Sequence, residues 1–345
     1  MSEQGKSLND LGLYGLIEHV NQKVAETQEK AAGPDSGDDA AALTENPEIL
    51  QAGTLLLEGI HFDLTYTPLQ HLGFKAVTIA ISDLLAMNAR PVQLSLNLGI
   101  SQKINLDMID QFVEGLLAAC TLYGVRLAGF KPGPSLTGFT IALQATGKAA
   151  PGEQVLRSTA RENEVLLVSG DLGGALMGLH LLEREKRVLK DNQESQPDFG
   201  NNDYVLQRQL KPMARTTVVE KLRQLGLKPG AMTVVTEGLA TATRLLCKAS
   251  HKGCRLHEEK IPLHQSTLKA AAELNYNPLI AALNGGEDYE LLLTLPAEDF
   301  EKNREALEEV LHPIGYITAP EKACRMISRS GEEIDLKARG WGNNQ

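Results

Sequence analysis

From Thr54 to Gly147 this sequence passes through a strand, a helix, a strand, a helix and two further strands, joined by short connections. An α/β or α+β layer satisfies that order; a helix bundle does not. Thr54 to Leu57 reads as a buried strand, and His71 to Met87 as a long apolar helix that closes before Arg90-Pro91. Val92 to Leu98 alternates apolar with polar residues, as a strand covered on one face does. Asp107 to Tyr123 is a second helix ended by Gly124, Val125 to Ala128 starts the next strand, and Gly138 to Gly147 completes the set. Ahead of these, residues 9–26 place Leu13, Leu16, Ile17, Val20 and Val24 at helical spacing, and a loop rich in Gly, Pro, Ser and Asp runs from Ala31 to Asp39.

The chain has 345 residues, more than one hydrophobic core usually serves, and Ala149-Ala150-Pro151-Gly152 reads as a boundary. Two domains are therefore expected, residues 1–150 and 151–345. The second opens with a short apolar strand, Val165 to Ser169, that runs into Gly170-Asp171-Leu172-Gly173-Gly174 and a helix through Leu182. Residues 183–204 are charged and polar and read as a solvated excursion. Thr217 to Leu225, stopped by Gly226, and Leu239 to Lys248 read as helices, and Tyr289 to Leu295 as a strand.

Charge narrows the possible partners. The 44 acids against 34 Lys and Arg give a formal net charge of -10, which repels phosphate backbones and anionic lipid and argues against nucleic-acid or membrane-surface binding. Single anionic ligands held by local cations, metals or amides remain possible. Met1 to Asp10 lacks the apolar core of a signal peptide, and no apolar run approaches the roughly 20 residues that span a bilayer. Cys120, Cys247, Cys254 and Cys324 form neither a CxxC pair nor a disulfide-rich spacing and read as buried or incidental thiols of a reduced compartment. A cytoplasmic location is the expectation.

Several short segments can carry chemistry. Gly37-Asp38-Asp39-Ala40-Ala41 sets paired carboxylates in a flexible loop, where they can ligate a hard cation such as magnesium or simply form a turn. Asp83, in Ile81-Ser82-Asp83, is a carboxylate on an apolar helix. It has to be paired, hydrated or metal-bound, because burying it bare costs several kcal/mol. Asn284-Gly285-Gly286-Glu287-Asp288-Tyr289-Glu290 allows close backbone approach to a ligand, or is a turn into a strand. His61, in Leu57-Glu58-Gly59-Ile60-His61-Phe62, is a packed or solvated residue or a catalyst. Gly170 to Gly174, at a strand-to-helix junction, can hold phosphate on the helix amino terminus, although it lacks the full P-loop pattern.

Taken in order from about Leu11 to Trp341, these segments resemble the thiamine-monophosphate kinases, relatives of aminoimidazole ribonucleotide synthetase. Gly37 to Ala41, Glu58 to Phe62, Ser82-Asp83-Leu84 with Ala86-Met87, Arg157 to Ala160, Gly170 to Gly173 and Gly285 to Glu290 match the motifs of that family. The resemblance implies a two-domain α/β (α+β) fold whose amino-terminal domain pairs with its twin in a homodimer. It also implies a cleft in which ATP and thiamine phosphate meet with several Mg2+ ions, the γ-phosphate passing in line to give thiamine diphosphate. Such chemistry is mainly positioning and charge neutralisation. Carried over by position, Asp38, Asp83 and Glu237 would hold metal, while Lys131, Arg157 and Thr236 would face the nucleotide. His61, Glu287 and Trp341 would face the substrate, with the indole stacking on a heteroaromatic ring.

The chain departs from the pattern where that family keeps carboxylates. Ala52-Gly53-Thr54 stands where relatives carry an Asp before the Glu-Gly-Val-His-Phe-type motif, and Gly129-Phe130-Lys131-Pro132 where they carry Gly-Gly-Asp-Thr. Val234-Val235-Thr236-Glu237-Gly238-Leu239 replaces Asp-Ile-Ser-Asp-Gly-Leu, so one Asp becomes Val and the other Glu. Lys131 in place of Asp changes the local charge by two units. At about 4 Å and an effective dielectric near 20, each unit is worth about 4 kcal/mol. A cation among magnesium sites expels an ion, or stands in for one as a point charge. Three readings follow: a working kinase with a rewired site, a binding protein or partner subunit without turnover, or another phosphoryl or amide chemistry on the same scaffold.

Overall fold

The structure is a computed structural model that describes residues 8–27, 38–43, 46–191 and 196–338. An amino-terminal helix, α1 (Leu8–Thr27), precedes a mixed five-stranded sheet. That sheet contains β1 (Ala41–Leu43), β2 (Asn46–Leu57), β3 (Arg90–Ile100), β4 (Arg126–Pro134) and β5 (Thr140–Lys148), in the order β1-β2-β5-β3-β4. Only β3 and β4 run parallel. A seven-stranded sheet follows, made of β6 (Val165–Ser169), β7 (Met232–Val235), β8 (Gly253–His257), β9 (Glu290–Leu295), β10 (Leu311–Thr318), β11 (Cys324–Ile327) and β12 (Glu333–Asp335). Its order is β12-β11-β8-β10-β6-β9-β7.

Two helices cover one face of the first sheet, α2 (Leu69–Ala86) and α3 (Leu106–Tyr123). The alternation along β3 turns Leu94, Leu96 and Leu98 toward them, and Ile141, Leu143 and Ala145 of β5 join that face. α3 begins where the Asn105 side chain accepts the Met108 N–H at 2.9 Å, and ends at Gly124 with φ +65°. The two helices cross so closely that a Cβ on Gly73 would lie 2.0 Å from the Phe112 carbonyl oxygen, and one on Gly115 would lie 1.8 Å from that of Gln70.

All but three of the 18 residues of α2 are buried. Its other side meets β7 and the helix α5 (Asp203–Leu210) of the second half, and one apolar core continues from Leu50 and Leu94 through to Met232 and Leu293. The remaining helices used below are α4 (Gly174–Asp191), α6 (Thr216–Gln224) and α7 (Leu239–Ala249).

Residues 183–204 are not a solvated excursion throughout. α4 continues to Asp191 and α5 begins at Asp203. Glu185 is buried, where it pairs with Arg184 at 2.7 Å and accepts the Asp198 N–H at 2.9 Å. The charged residues lie on the outer side of an amphipathic helix, and their density obscures its period. The proposed loop at residues 31–37 and Trp341 lie outside the described residues.

The α2–α3 crossing gives a direct test. Gly115→Ala should lower stability by about 1–3 kcal/mol or more through overpacking. Urea unfolding should show a lower midpoint with an unchanged slope; an unshifted midpoint would mean that the helices separate at little cost.

Candidate functional site

α2 carries two ionisable residues into the interior, and each faces a different part of one cleft. Asp83 lines a cavity of about 1020 Å³ together with Asp38, Asp39, Arg157, Thr236 and Glu237. Lys75 lines a smaller one of about 380 Å³ with His61, Tyr66, Lys186, Gln209 and Glu287. A third space of about 410 Å³, bounded by His61, Thr236, Glu237, Glu287 and Tyr289, shares walls with both and joins them. Asp38, Asp83, Glu237, Arg157 and Thr236 thus converge on one end, and His61 and Glu287 on the other.

At the acidic end, Arg157 Nη2 lies 2.8 Å from Asp39 Oδ1, and its Nε lies 3.5 Å from Asp38 Oδ1. The Arg157 N–H also donates to the Asp38 carboxylate at 3.0 Å. Burial works against the guanidinium charge, but Asp39 and Asp38 outweigh it and hold Arg157 more firmly protonated than usual. Asp83 is pushed well above the usual carboxylate range, first by burial and then by the charge of Asp39, with Arg157 opposing. Asp39 Oδ1 accepts from the Thr233 hydroxyl at 3.3 Å, while its buried Oδ2 has no hydrogen-bond partner among the described residues.

The carboxylates of Asp38, Asp39 and Asp83 share one cavity wall, but among the described residues no three acidic oxygens gather closely enough to ligate a single cation without a further donor. Thr54 and Val234, which stand where the resembled family keeps Asp, line the same cavity and add no carboxylate.

At the other end, Lys75 is 3% exposed and its ammonium donates to Glu287 Oε2 and to the Gln209 carbonyl, both at 2.9 Å. Gln209 Nε2 adds a bond to the same carboxylate oxygen at 2.7 Å. Glu287 has φ +65° and Tyr289 φ +52°, a region that non-glycine residues rarely occupy. The end of β7 holds them there: the Glu287 N–H donates to the Thr236 carbonyl at 2.7 Å, and the Tyr289 N–H to that of Val235 at 3.1 Å. His61 accepts the Leu57 N–H on Nδ1 at 3.1 Å, which leaves Nε2 as the donor of the neutral ring.

Two expectations require correction. The Gly170–Gly174 junction does not offer a free helix terminus for phosphate. Asp288, fully buried, accepts from the amides of Gly173 at 2.7 Å and Ala175 at 3.3 Å, so the chain's own carboxylate fills the α4 amino terminus.

Lys131 is also set apart. It lies exposed on the edge strand β4, in a register row that runs Leu55, Ala142, Asn97, Lys131 across the sheet. Three strand spacings, about 14 Å, separate it from Leu55 at the cavity rim, so one chain does not bring its ammonium among these carboxylates. Lys75 is the residue that motif reading missed, while Asp39 was read there only as half of a carboxylate pair. Lys75 carried the same signal as Asp83, an ionisable group on an apolar helix.

The pattern described as AIR synthase related protein, N-terminal domain, matches residues 37–149. Among curated proteins, the thiamine-monophosphate kinase of Synechococcus elongatus is 30% identical over 338 residues, covering 96% of this chain and 96% of that protein. The thiamine-monophosphate kinase of Bacillus subtilis is 28% identical over 313 residues, covering 89% and 92%. Among solved structures, AaThiL complexed with AMPPCP and TMP superposes with a TM-score of 0.80 at 26% identity, covering 99% of this chain and 100% of that one. The fold is therefore that of the AIR synthase-related proteins, with two sheets around a shared cleft. Within that class, the chain belongs to the thiamine-monophosphate kinase family. Among the described residues, no helix is long and apolar enough to cross a membrane.

Asp288 makes the capping network sensitive to pH. Burial raises its carboxyl to about 6, with Arg208 and the two amides opposing. A folded-state value above the unfolded one contributes stability below about pH 4 that is lost as pH rises through about 6, by up to about 3 kcal/mol. Denaturant unfolding should therefore show the advantage of the wild type over Asp288→Asn shrinking from pH 4 to pH 7. A constant difference would place the titration elsewhere.

Proposed function

We propose that this chain binds ATP at the Asp83 end of the cleft and thiamine phosphate at the Glu287 end. It is a member of the thiamine-phosphate kinase family whose phosphoryl transfer is weak or lost. The observation that carries this reading is the placement of Thr54 and Val234 on the cavity wall beside Asp38, Asp39 and Asp83. The ligand-facing frame is kept, and the missing carboxylates fall on one side of it. The AMPPCP and TMP bound by the related AaThiL support two ligands of these classes.

Asp38, Asp39, Asp83 and Glu237 line the cavity where Mg2+ would sit, and because no three of their oxygens gather around one point, nucleotide phosphate or water oxygens would have to complete its coordination. Bound there, the ion would neutralise charge on the nucleotide phosphates. Arg157 fixes Asp38 and Asp39 and adds a positive charge beside them. Lys75 and Gln209 position Glu287 against the substrate, and His61 offers an N–H donor. Trp341 is proposed to stack on the heteroaromatic ring. These groups bind and orient two ligands, but they leave fewer negative charges than a cluster of several metal ions requires.

Lys131 reaches a nucleotide only if a second copy brings it there, so its proposed role stands or falls with a homodimer. The outer face of the five-stranded sheet, where Lys131 and the 52%-exposed Leu55 share a row, is the proposed dimer surface. The intact Lys75–Glu287–Gln209 network favours a second reading on the same cleft: recognition of nucleotide or thiamine phosphate without turnover, as a regulatory or partner subunit.

Restoring the carboxylates tests the assignment. Thr54→Asp, Lys131→Asp and Val234→Asp together should raise magnesium-dependent turnover at least tenfold over the wild type, as adding charge-stabilising groups does. Asp83→Asn in the wild-type background should abolish any effect of magnesium on nucleotide binding. A triple variant that folds and binds both ligands without gaining turnover would show that the lost carboxylates are not the defect.

A further inference from the structure

We propose that Cys247, Cys254 and Cys324 form a three-thiolate site for a thiophilic d10 cation of the Zn2+ type, separate from the ligand cleft. The sulfur atoms of these three residues all lie within 4.8 Å of one another. They come from three elements that are distant in sequence, which is why no CxxC spacing announces them. Cys254 of β8 and Cys324 of β11 are direct partners in a parallel strand pair, so their side chains leave the same face of the sheet. α7 contributes Cys247.

Thr241, Ala242, Leu245, Lys248 and Ala249 of α7 line the large cavity. At about 100° per residue, Cys247 lies on the opposite side of the helix from them. The cluster therefore sits behind the helix whose front wall faces the cleft, and shares no residue with it.

The surroundings suit a soft cation. Cys247 and Cys254 are packed in the apolar core of the second half with Leu246, Leu256 and Ile317, while Cys324 is partly exposed and gives an entry path. Thiolate sulfur selects d10 ions of this kind over magnesium or calcium. With a metal–sulfur distance of about 2.3 Å, a trigonal array needs sulfurs about 4.0 Å apart, a contraction of less than about 1 Å from the spacing found.

Among the described residues no fourth His, Cys, Asp or Glu joins the group, so the ion is either three-coordinate or completed by an exogenous ligand on the Cys324 side. Binding is a balanced step: one divalent cation enters, three metal–sulfur bonds form, and each thiol that carried a proton releases it to solvent. No oxidant or reductant is needed.

The test uses the full reduced chain and Zn2+ in competition with a chromophoric chelator, with a melting curve and a count of free thiols on the same sample. The expected result is one ion per chain, protons released on binding, and a thermal midpoint that rises with Zn2+. Cys247→Ser lies in the core and can fail to fold, so the diagnostic variant is the partly exposed Cys324→Ser. It should melt near the metal-free wild type and bind Zn2+ at least 100-fold more weakly. Equal binding by wild type and Cys324→Ser, or a wild type in which two of the three thiols have become a disulfide and bind no metal, would overturn the proposal.

Discussion

The nearly complete burial of α2 is the constraint on which the rest of this molecule depends. A helix covered on one side by its own sheet and α3, and on the other by β7 and α5, leaves little solvent for Lys75 and only the cavity for Asp83. Lys75 and Asp83 must therefore find partners across the interior. Eight residues at 1.5 Å per residue set them about 12 Å apart along the axis, and that spacing separates the two ends of the cleft. The Lys75 ammonium draws in Glu287 and the Gln209 carbonyl. Glu287 in turn holds the end of β7 through the Thr236 carbonyl, and β7 places Val234 against the acidic cavity. Removing one member of such a pair leaves a buried charge unmatched, at about 3–5 kcal/mol. The joint between the two halves and the shape of the ligand cleft are thus one interaction network.

At the acidic end the arithmetic of charge decides what the cavity can hold. Asp38, Asp39, Asp83 and Glu237 face Arg157 in one cavity, and with Asp83 held above the usual carboxylate range they supply fewer than the three net negative charges a bare count gives, short of what a cluster needs. At about 4 Å and an effective dielectric near 20, each missing carboxylate withdraws about 4 kcal/mol of attraction for a cation. The Thr54 hydroxyl and the Val234 isopropyl group replace none of it. Expelling a metal by placing the ammonium of Lys131 in its midst is not what happens within one chain, because β4 lies at the far edge of the sheet. On the proposed reading, the change within one chain is a loss of ligands rather than the insertion of a cation.

How much of this was legible beforehand follows the range of the interactions involved. α2, α3, β3 and β6 announced themselves because period and a Gly stop are local signals. β7 and β8 did not, being short, almost wholly buried runs that only tertiary pairing turns into strands. The dense mixed charge of residues 183–191 concealed a helix whose inner side carries Glu185. The ordered motifs led to Asp38, Asp83, Arg157, Thr236 and Glu237, which the fold gathers in one cavity. They could not show that Asp288 turns away to cap α4, since that depends on a carboxylate arriving from 115 residues along the chain. Lys75 and the three-thiol cluster were hidden for the same reason: their partners are far off in sequence and adjacent only after folding.

The central claim is a cleft that still binds but transfers slowly, and the most direct measurement of it is ADP release by the purified wild-type chain. The assay would use saturating magnesium ATP and thiamine phosphate, with occupancy of both ligands first established by calorimetry. The account predicts that both ligands bind and that turnover stays well below about 1 per second, the lower end of ordinary enzyme rates. Turnover at or above that rate would contradict it, and would mean that the three remaining aspartates with Glu237 suffice for the chemistry.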